Sequence, residues 1–236
     1  MTNNNQHYYD EFAQGYERAR GRGYHGLIDD LEMEVALPFA RDQRVLELGC
    51  GTGLILERLA KVASDAHGVD LSPGMIAKAK DRGLNVSLAS VTALPFADES
   101  FDFVCSFKVL AHVRAIGAAL QEAARVTRSG GFLALELYNP LSLRYLAKKI
   151  AGPQPIADGT TEADVYTRWD PPWVVPRVLP PSVELVDVRG VRVFTPAAFV
   201  HRIPWVAEGL QRAEHAALRS ALRWFGGFLV VLLRKR

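Results

Sequence analysis

Apolar residues near the start of the chain recur on a helical period. In "YYDEFAQGYERAR", Tyr8, Phe12 and Tyr16 fall four residues apart, on one face of a helix. "GRG" (Gly21 to Gly23) interrupts this stretch, and Leu27, Leu31, Val35 and Phe39 then mark a second helix over Tyr24 to Phe39. From Arg44 the pattern changes to short apolar runs separated by segments of 3.6-residue period. "RVLELG" predicts a buried strand, "LILERLAKVA" a helix and "AHGVD" a second strand. "SPGMIAKAKDRG" predicts a helix with Ser72 as N-cap, Pro73 at its first position and Gly83 as its stop. "NVSLAS" and "FDFVCSF" read as further strands, "AIGAALQEAARVTR" as a helix and "GGFLALELYN" as a fifth strand. Strands alternating with helices imply βαβ units and a parallel sheet covered on both faces.

The last third is less regular. Residues 139–181 hold eight of the thirteen prolines, which breaks up regular structure. "VELVDVRGVRVF" predicts a strand bulged at Gly190, "WVAEGLQRAEHAALRSALRWF" one long helix, and "GFLVVLLRK" a final strand. The expected organisation is one domain over 1–236. It divides into a helical cap (1–40), a core (41–138), an insertion covering the substrate (139–181), and the last two strands with their helix (182–236).

Composition narrows the function classes. The 236 residues are 49% hydrophobic and 23% charged with a net charge of +2, ordinary for a soluble domain and without the basic excess of a nucleic-acid binder. No nucleic-acid partner is expected. Cys50 and Cys105 are the two cysteines, too few for a disulfide framework, and both read as buried thiols. "MTNNNQHYYDEF" has no apolar secretory region and "FLVVLL" is too short to span a bilayer, so a cytoplasmic location is expected. No spacing suits a metal site. His67 reads as structural, and His7 and His215 as solvated.

The candidate chemistry lies in "VLELGCGTG". A glycine turn between strand and helix turns backbone N–H groups toward a ligand. The dinucleotide fingerprint G-x-G-x-x-G fits badly, because its sixth position is Leu54 and the third glycine comes early, at Gly53. Glu47 beside the loop would repel a pyrophosphate and suits a cationic amine. Asp70 ends the next strand, where a carboxylate can accept both hydroxyls of a ribose.

"LELGCGTG", "GVDLSPGMIAKA", "ALPFADESFDFVCS" and "RVTRSGGFLALE" resemble the successive motifs of class I S-adenosylmethionine-dependent methyltransferases, in the ubiquinone/menaquinone-biosynthesis-like, small-molecule subgroup. The resemblance runs from about Arg44 to Tyr138. It implies a Rossmann-like, doubly wound α/β fold with a seven-stranded sheet, mostly parallel with the last strand antiparallel. It further implies S-adenosylmethionine as cofactor and methyl transfer to a small-molecule acceptor. By the same resemblance Glu47, Gly49, Cys50, Gly51 and Gly53 surround the methionine moiety, Asp70 holds the ribose, and Leu71 and Met75 pack near the adenine. Ser90 stands where the family usually has an aspartate, and Val91 offers its backbone N–H. Ser106, Phe107 and Lys108 match the floor of the methionine site.

His112 in "VLAHV" matches a histidine that the family often carries at the substrate face, and is the candidate general base; the alternative is a helix cap. Tyr16, Tyr24 and His25 are lid candidates. Trp169, Trp173 and Tyr166 are candidates for an aromatic acceptor pocket. Arg144, Lys148 and Lys149 would meet an anion or lie in solvent. Leu143, Leu146 and Ile150 with these basic residues also permit, as a minor reading, a membrane-surface helix. Three alternatives compete: a nicotinamide dehydrogenase, disfavoured by Leu54 and Glu47; an aminopropyl transferase, which lacks its acidic pair here; and a cofactor-binding protein without transferase activity.

Overall fold

A computed structural model describes residues 23–153, 155–157, 160–161, 165–195 and 204–236. The predicted helix through Tyr8, Phe12 and Tyr16 lies outside these residues. The described chain begins with α1 (Gly23–Ala40). It continues through β1 (Arg44–Leu48), α2 (Leu54–Ala60), β2 (Asp65–Asp70), α3 (Pro73–Asp81), β3 (Asn85–Leu88) and β4 (Phe101–Ser106). A 3-10 turn at Leu110–His112 leads to α4 (Ile116–Val126) and β5 (Thr127–Tyr138). Then come α5 (Leu143–Ala151), the short pair β6 (Pro155–Ala157) and β7 (Thr160–Thr161), and α6 (Val175–Val178). β8 (Val183–Val191), α7 (Pro204–Ala217), a 3-10 turn (Ala221–Phe225) and β9 (Phe228–Lys235) complete it.

Seven strands form one sheet in the order β3-β2-β1-β4-β5-β9-β8. β1 to β5 pair in parallel, and β9 runs antiparallel to both neighbours. The expected topology is therefore the observed one. Strand alternation divides the core into two layers. Val45, Phe103, Ala134 and Val230 face α1 and α2. Leu46, Val104, Leu133 and Val231 face α4. The predicted N-cap of α3 forms, with the Ser72 hydroxyl accepting from Met75 N–H at 3.1 Å.

The C-terminal third departs from expectation at three places. The register shift in β8 lies between Leu185 and Asp187, so Gly190 is not the bulge. Gly190 is needed for close approach, since a Cβ there would overlap the backbone of Arg223. The long helix predicted through Phe225 stops at Ala217. Ser220 turns the chain by accepting from Leu222 N–H, and a separate 3-10 turn follows. Within the proline-rich insertion the helix expected around Arg144, Lys148 and Lys149 forms as α5, and the β6–β7 pair is a regular element that was not expected.

Candidate cofactor and active site

β1 ends in a loop held to β2 by Gly49 and Cys50, whose N–H groups donate to Val69 O at 2.7 and 2.9 Å. Its glycines all take left-handed φ angles of +71°, +55° and +86° at Gly49, Gly51 and Gly53, a region that costs other residues about 1–2 kcal/mol. A Cβ at Gly49 would overlap Val109, and one at Gly53 would overlap Leu84. Gly53 thus provides the close packing against α3 that the dinucleotide fingerprint assigns to its later glycine. At Gly51 the nearest atom to an added Cβ is Met75 Sδ at 3.9 Å, so a side chain there would enter the adjacent cavity.

That cavity measures about 320 Å³ and opens at the carboxyl ends of the parallel strands. Gly49, Gly51, Asp70, Leu71 and Met75 line one part of it, and Ser90, Val91 and Phe107 another. Lys108, His112 and Arg114 line it as well. A smaller space of about 40 Å³ adjoins it and is lined by Glu47, Cys50, Asp29 and Lys108. Gly53 lines neither and supports the loop from behind. Asp70 organises the mouth: its Oδ2 accepts from Gly51 N–H and its Oδ1 from Ser72 N–H, both at 2.9 Å. The Ser90 hydroxyl lies 2.8 Å from that of Thr92 and accepts from Thr92 N–H, holding the turn at the cavity edge. Ser106 is spent on structure, donating to Leu48 O at 3.0 Å.

Below the loop, alternation along β1 and β5 points Glu47 and Glu136 at α1, which supplies Asp29 and Glu32. All four carboxylates are buried. Lys108 answers them: its Nζ lies 2.8 Å from Asp29 and 2.7 Å from Glu32, and its backbone N–H donates to Glu136 at 3.0 Å. The Lys108 backbone is left-handed at φ +61°, a strain offset by these three contacts. Burial pushes the Glu47 carboxyl well above the usual carboxylate range; Lys108 opposes this, and Glu32, Asp70 and Asp29 add to it. Burial and Glu32 raise Glu136 in the same way. Glu47 Oε2 is buried with no hydrogen-bond partner among the described residues. The sequence reading missed Asp29, Glu32 and Glu136. The usable signal was acidic residues within two segments whose apolar pattern predicts burial, four in "GLIDDLEMEV" and one in "LALELY".

His112 sits at the far side of the larger cavity. Its Nδ1 is 2.9 Å from Tyr166 O, a carbonyl that only accepts, so Nδ1 carries the proton and Nε2 the lone pair. Nε2 is 3.5 Å from Tyr138 Oη. Burial lowers the His112 pKa, so the imidazole is neutral at pH 7. Tyr24 lies under the Arg192 guanidinium, 4.8 Å from carbon to ring centre, and its hydroxyl is raised by burial. Tyr16 is outside the described residues. Trp169 packs on Tyr138 and Tyr145, Tyr166 stacks under Arg114, and Trp173 is exposed. His67 pairs with Ser87 at 2.9 Å, in keeping with a structural role. His215, expected in solvent, instead lies 2.6 Å from Glu34 of α1. Both cysteines are buried and free, with thiols pushed up by burial. No helix among the described residues is long and apolar enough to cross a membrane.

The residues present fit S-adenosylmethionine. An orphaned carboxylate oxygen beside a bare glycine loop suits an ammonium group, and Asp70 with an apolar slot beyond it suits a nucleoside. Comparison with known proteins agrees. Residues 46–135 match the methyltransferase domain family. A demethylmenaquinone methyltransferase of Corynebacterium glutamicum is 40% identical over 91 residues, 39% of this chain and 40% of that protein. A ubiquinone biosynthesis O-methyltransferase of Azorhizobium caulinodans is 35% identical over 102 residues, 41% of this chain and 40% of that protein. The chain thus spans about two-fifths of the length of these curated relatives. A Thermotoga maritima crystal structure, described as an S-adenosylmethionine-dependent methyltransferase and possible histamine N-methyltransferase, superimposes with a TM-score of 0.70 at 20% identity. It covers 98% of this chain and 99% of that one, which establishes the shared fold. By motif order, matched domain and sheet topology, residues 46–135 are similar to the methyltransferase domain, and the described chain has the Rossmann-like fold of S-adenosylmethionine-dependent methyltransferase structures.

Proposed function

We propose that the protein transfers a methyl group from S-adenosylmethionine to a small-molecule acceptor. The observation that carries this reading is the contiguity of the site: one cavity joins Gly51, Asp70, Met75 and Val91 at one end to His112 at the other. When bound, the cofactor supplies a methyl group already activated on a sulfonium for in-line displacement. The chain's own part is to bind, align and desolvate. Glu47 and the buried acids behind it receive the ammonium, Asp70 the ribose hydroxyls, and Leu71, Met75 and Val91 the adenine faces. Alignment in a closed site is worth effective molarities of about 10⁵–10⁸ M. His112, neutral and oriented by Tyr166 O, accepts a proton at Nε2 from a hydroxyl or acidic carbon of the acceptor, worth about 10²–10⁴-fold. Tyr24, and Tyr16 outside the described residues, act as lid residues that exclude water.

The direct test is ligand-induced stabilisation. S-Adenosylhomocysteine at a hundred times its dissociation constant should add about 2.7 kcal/mol. At about 2–4 °C per kcal/mol for a domain of this size, the melting temperature rises by roughly 5–10 °C. NAD should leave it unchanged, and a shift with NAD alone would overturn the proposal.

A further inference from the structure

α5 is folded into the protein with its polarity reversed. Its apolar residues Leu143, Leu146 and Ile150 are exposed, Ile150 by 81%, whereas Arg144 is buried to 8% exposure. The Arg144 guanidinium carbon stands 4.4 Å from the ring centre of Tyr138, 4.8 Å from Phe228 and 4.9 Å from Trp169. Ring faces attract the charge, but they are poor acceptors for N–H groups. The Nε and Nη1 groups of Arg144 are buried with no hydrogen-bond partner among the described residues.

A second guanidinium stands beside it. Arg144 and Arg192 both approach Gly227, where an added Cβ would meet their Cδ atoms at 3.1 and 3.3 Å. Arg192 is also buried, with a left-handed backbone at φ +64°. Its Nε donates to Thr195 O at 2.8 Å. Burial pushes the Arg192 pKa down to about 10, and the Arg144 charge adds to that. Two like charges enclosed by aromatic rings form an arrangement that an anion completes. It lies one ring from the proposed active site, because Tyr138 contacts Arg144 on one side and His112, edge to face at 5.6 Å, on the other.

We infer that Arg144, backed by Arg192 and walled by Tyr138, Trp169 and Phe228, is a subsite for the carboxylate of an aromatic methyl acceptor. Unmatched N–H donors on a buried guanidinium call for an anionic acceptor such as a carboxylate, and planar walls call for a planar body. A neutral acceptor would leave the buried Arg144 charge without an anion against its unmatched donors. Arg144, Arg192, Trp169 and Phe228 all lie outside the matched segment 46–135, so the subsite is separate from what the family match covers. The inference rests on the methyltransferase reading, and its test is read separately from it.

The probes are benzoate and 1-naphthoate, each against its primary amide, titrated by calorimetry into protein saturated with S-adenosylhomocysteine. Each acid should bind at least about tenfold more tightly than its amide, as a desolvated charged hydrogen bond requires. Arg144→Gln should reduce that preference to within about twofold and leave S-adenosylhomocysteine affinity within about threefold, while Arg144→Lys should retain part of the preference. Amides binding as well as acids, or a preference that survives Arg144→Gln, overturns the subsite. Should Arg144→Gln fail to fold, the acid-to-amide ratio of the wild type and of Arg144→Lys decides. Acid preference without any S-adenosylhomocysteine binding would leave the subsite standing and remove the methyltransferase reading.

Discussion

Replacing Glu47 by glutamine removes one charge from the buried acid cluster and changes little else in shape. In the ligand-free protein Glu47 is buried, with Oε2 unpartnered and its carboxyl held well above the usual range. An arriving ammonium favours the ionised form, so binding should release a proton, and wild-type affinity should rise with pH while the carboxyl remains protonated. The limit is about tenfold per pH unit, corresponding to 1.36 kcal/mol. A charge-assisted hydrogen bond contributes about 1.5–3 kcal/mol. Once Glu47 is ionised, Glu47→Gln should therefore weaken S-adenosylhomocysteine binding by roughly 10- to 150-fold, and the variant should lose the pH dependence that comes from Glu47. Stability moves the other way. A carboxyl whose folded pKa lies above its unfolded value near 4.3 binds more protons when folded, so ligand-free stability falls as pH rises from about 4.3 toward the folded value. Glu47→Gln removes that loss and should melt at or above the wild type at pH 7. Calorimetry in buffers of different ionisation enthalpy counts the released proton. Wild-type affinity and an unchanged pH profile in Glu47→Gln would refute the assignment of the ammonium to this carboxylate.

Asp70→Ala should weaken S-adenosylhomocysteine by at least about tenfold and also lower the melting temperature, because the Gly51 and Ser72 N–H groups lose their acceptor; unchanged affinity by calorimetry would move the ribose contact elsewhere. His112→Ala should cut turnover about 10²-fold or more, with S-adenosylhomocysteine affinity unchanged within a few-fold. Because burial lowers the His112 pKa, the acid limb of the wild-type pH–turnover profile should lie below about 6.5 and be absent from the variant. Full turnover in His112→Ala would assign the reaction to alignment and desolvation alone. Gly190→Ala should destabilise by about 1–3 kcal/mol through overlap with Arg223, read as a melting shift of roughly 2–12 °C with S-adenosylhomocysteine affinity intact.

The sequence by itself determined the parts of this protein governed by local period and local backbone chemistry. Alternating short apolar runs and 3.6-residue segments from Arg44 to Tyr138 dictated βαβ units, because each pattern buries a face in only one kind of element. Ser72, Pro73 and Gly83 bounded α3 for reasons confined to one turn. The glycine loop, Glu47 and Asp70 were legible as neighbours because a βαβ unit sets the carboxyl ends of β1 and β2 side by side. Where contact is made across the fold, the sequence carried no such information. The stop at Ala217 depends on Ser220 and on the space beside Gly190, and the β8 register shift depends on pairing with β9. Asp29 and Glu32 lie off the stripe of Leu27, Leu31 and Val35 that marked their helix. Only the packing of α1 on the sheet brings them to Lys108, opposite Glu136 and Glu47. Arg144 read as one of three basic positions on an amphipathic helix. The rotation of α5 about its axis, fixed by contacts with Tyr138, Trp169 and Phe228, turned its charge inward and its leucines outward. Helical periodicity specifies that two faces differ, and tertiary packing decides which one is buried.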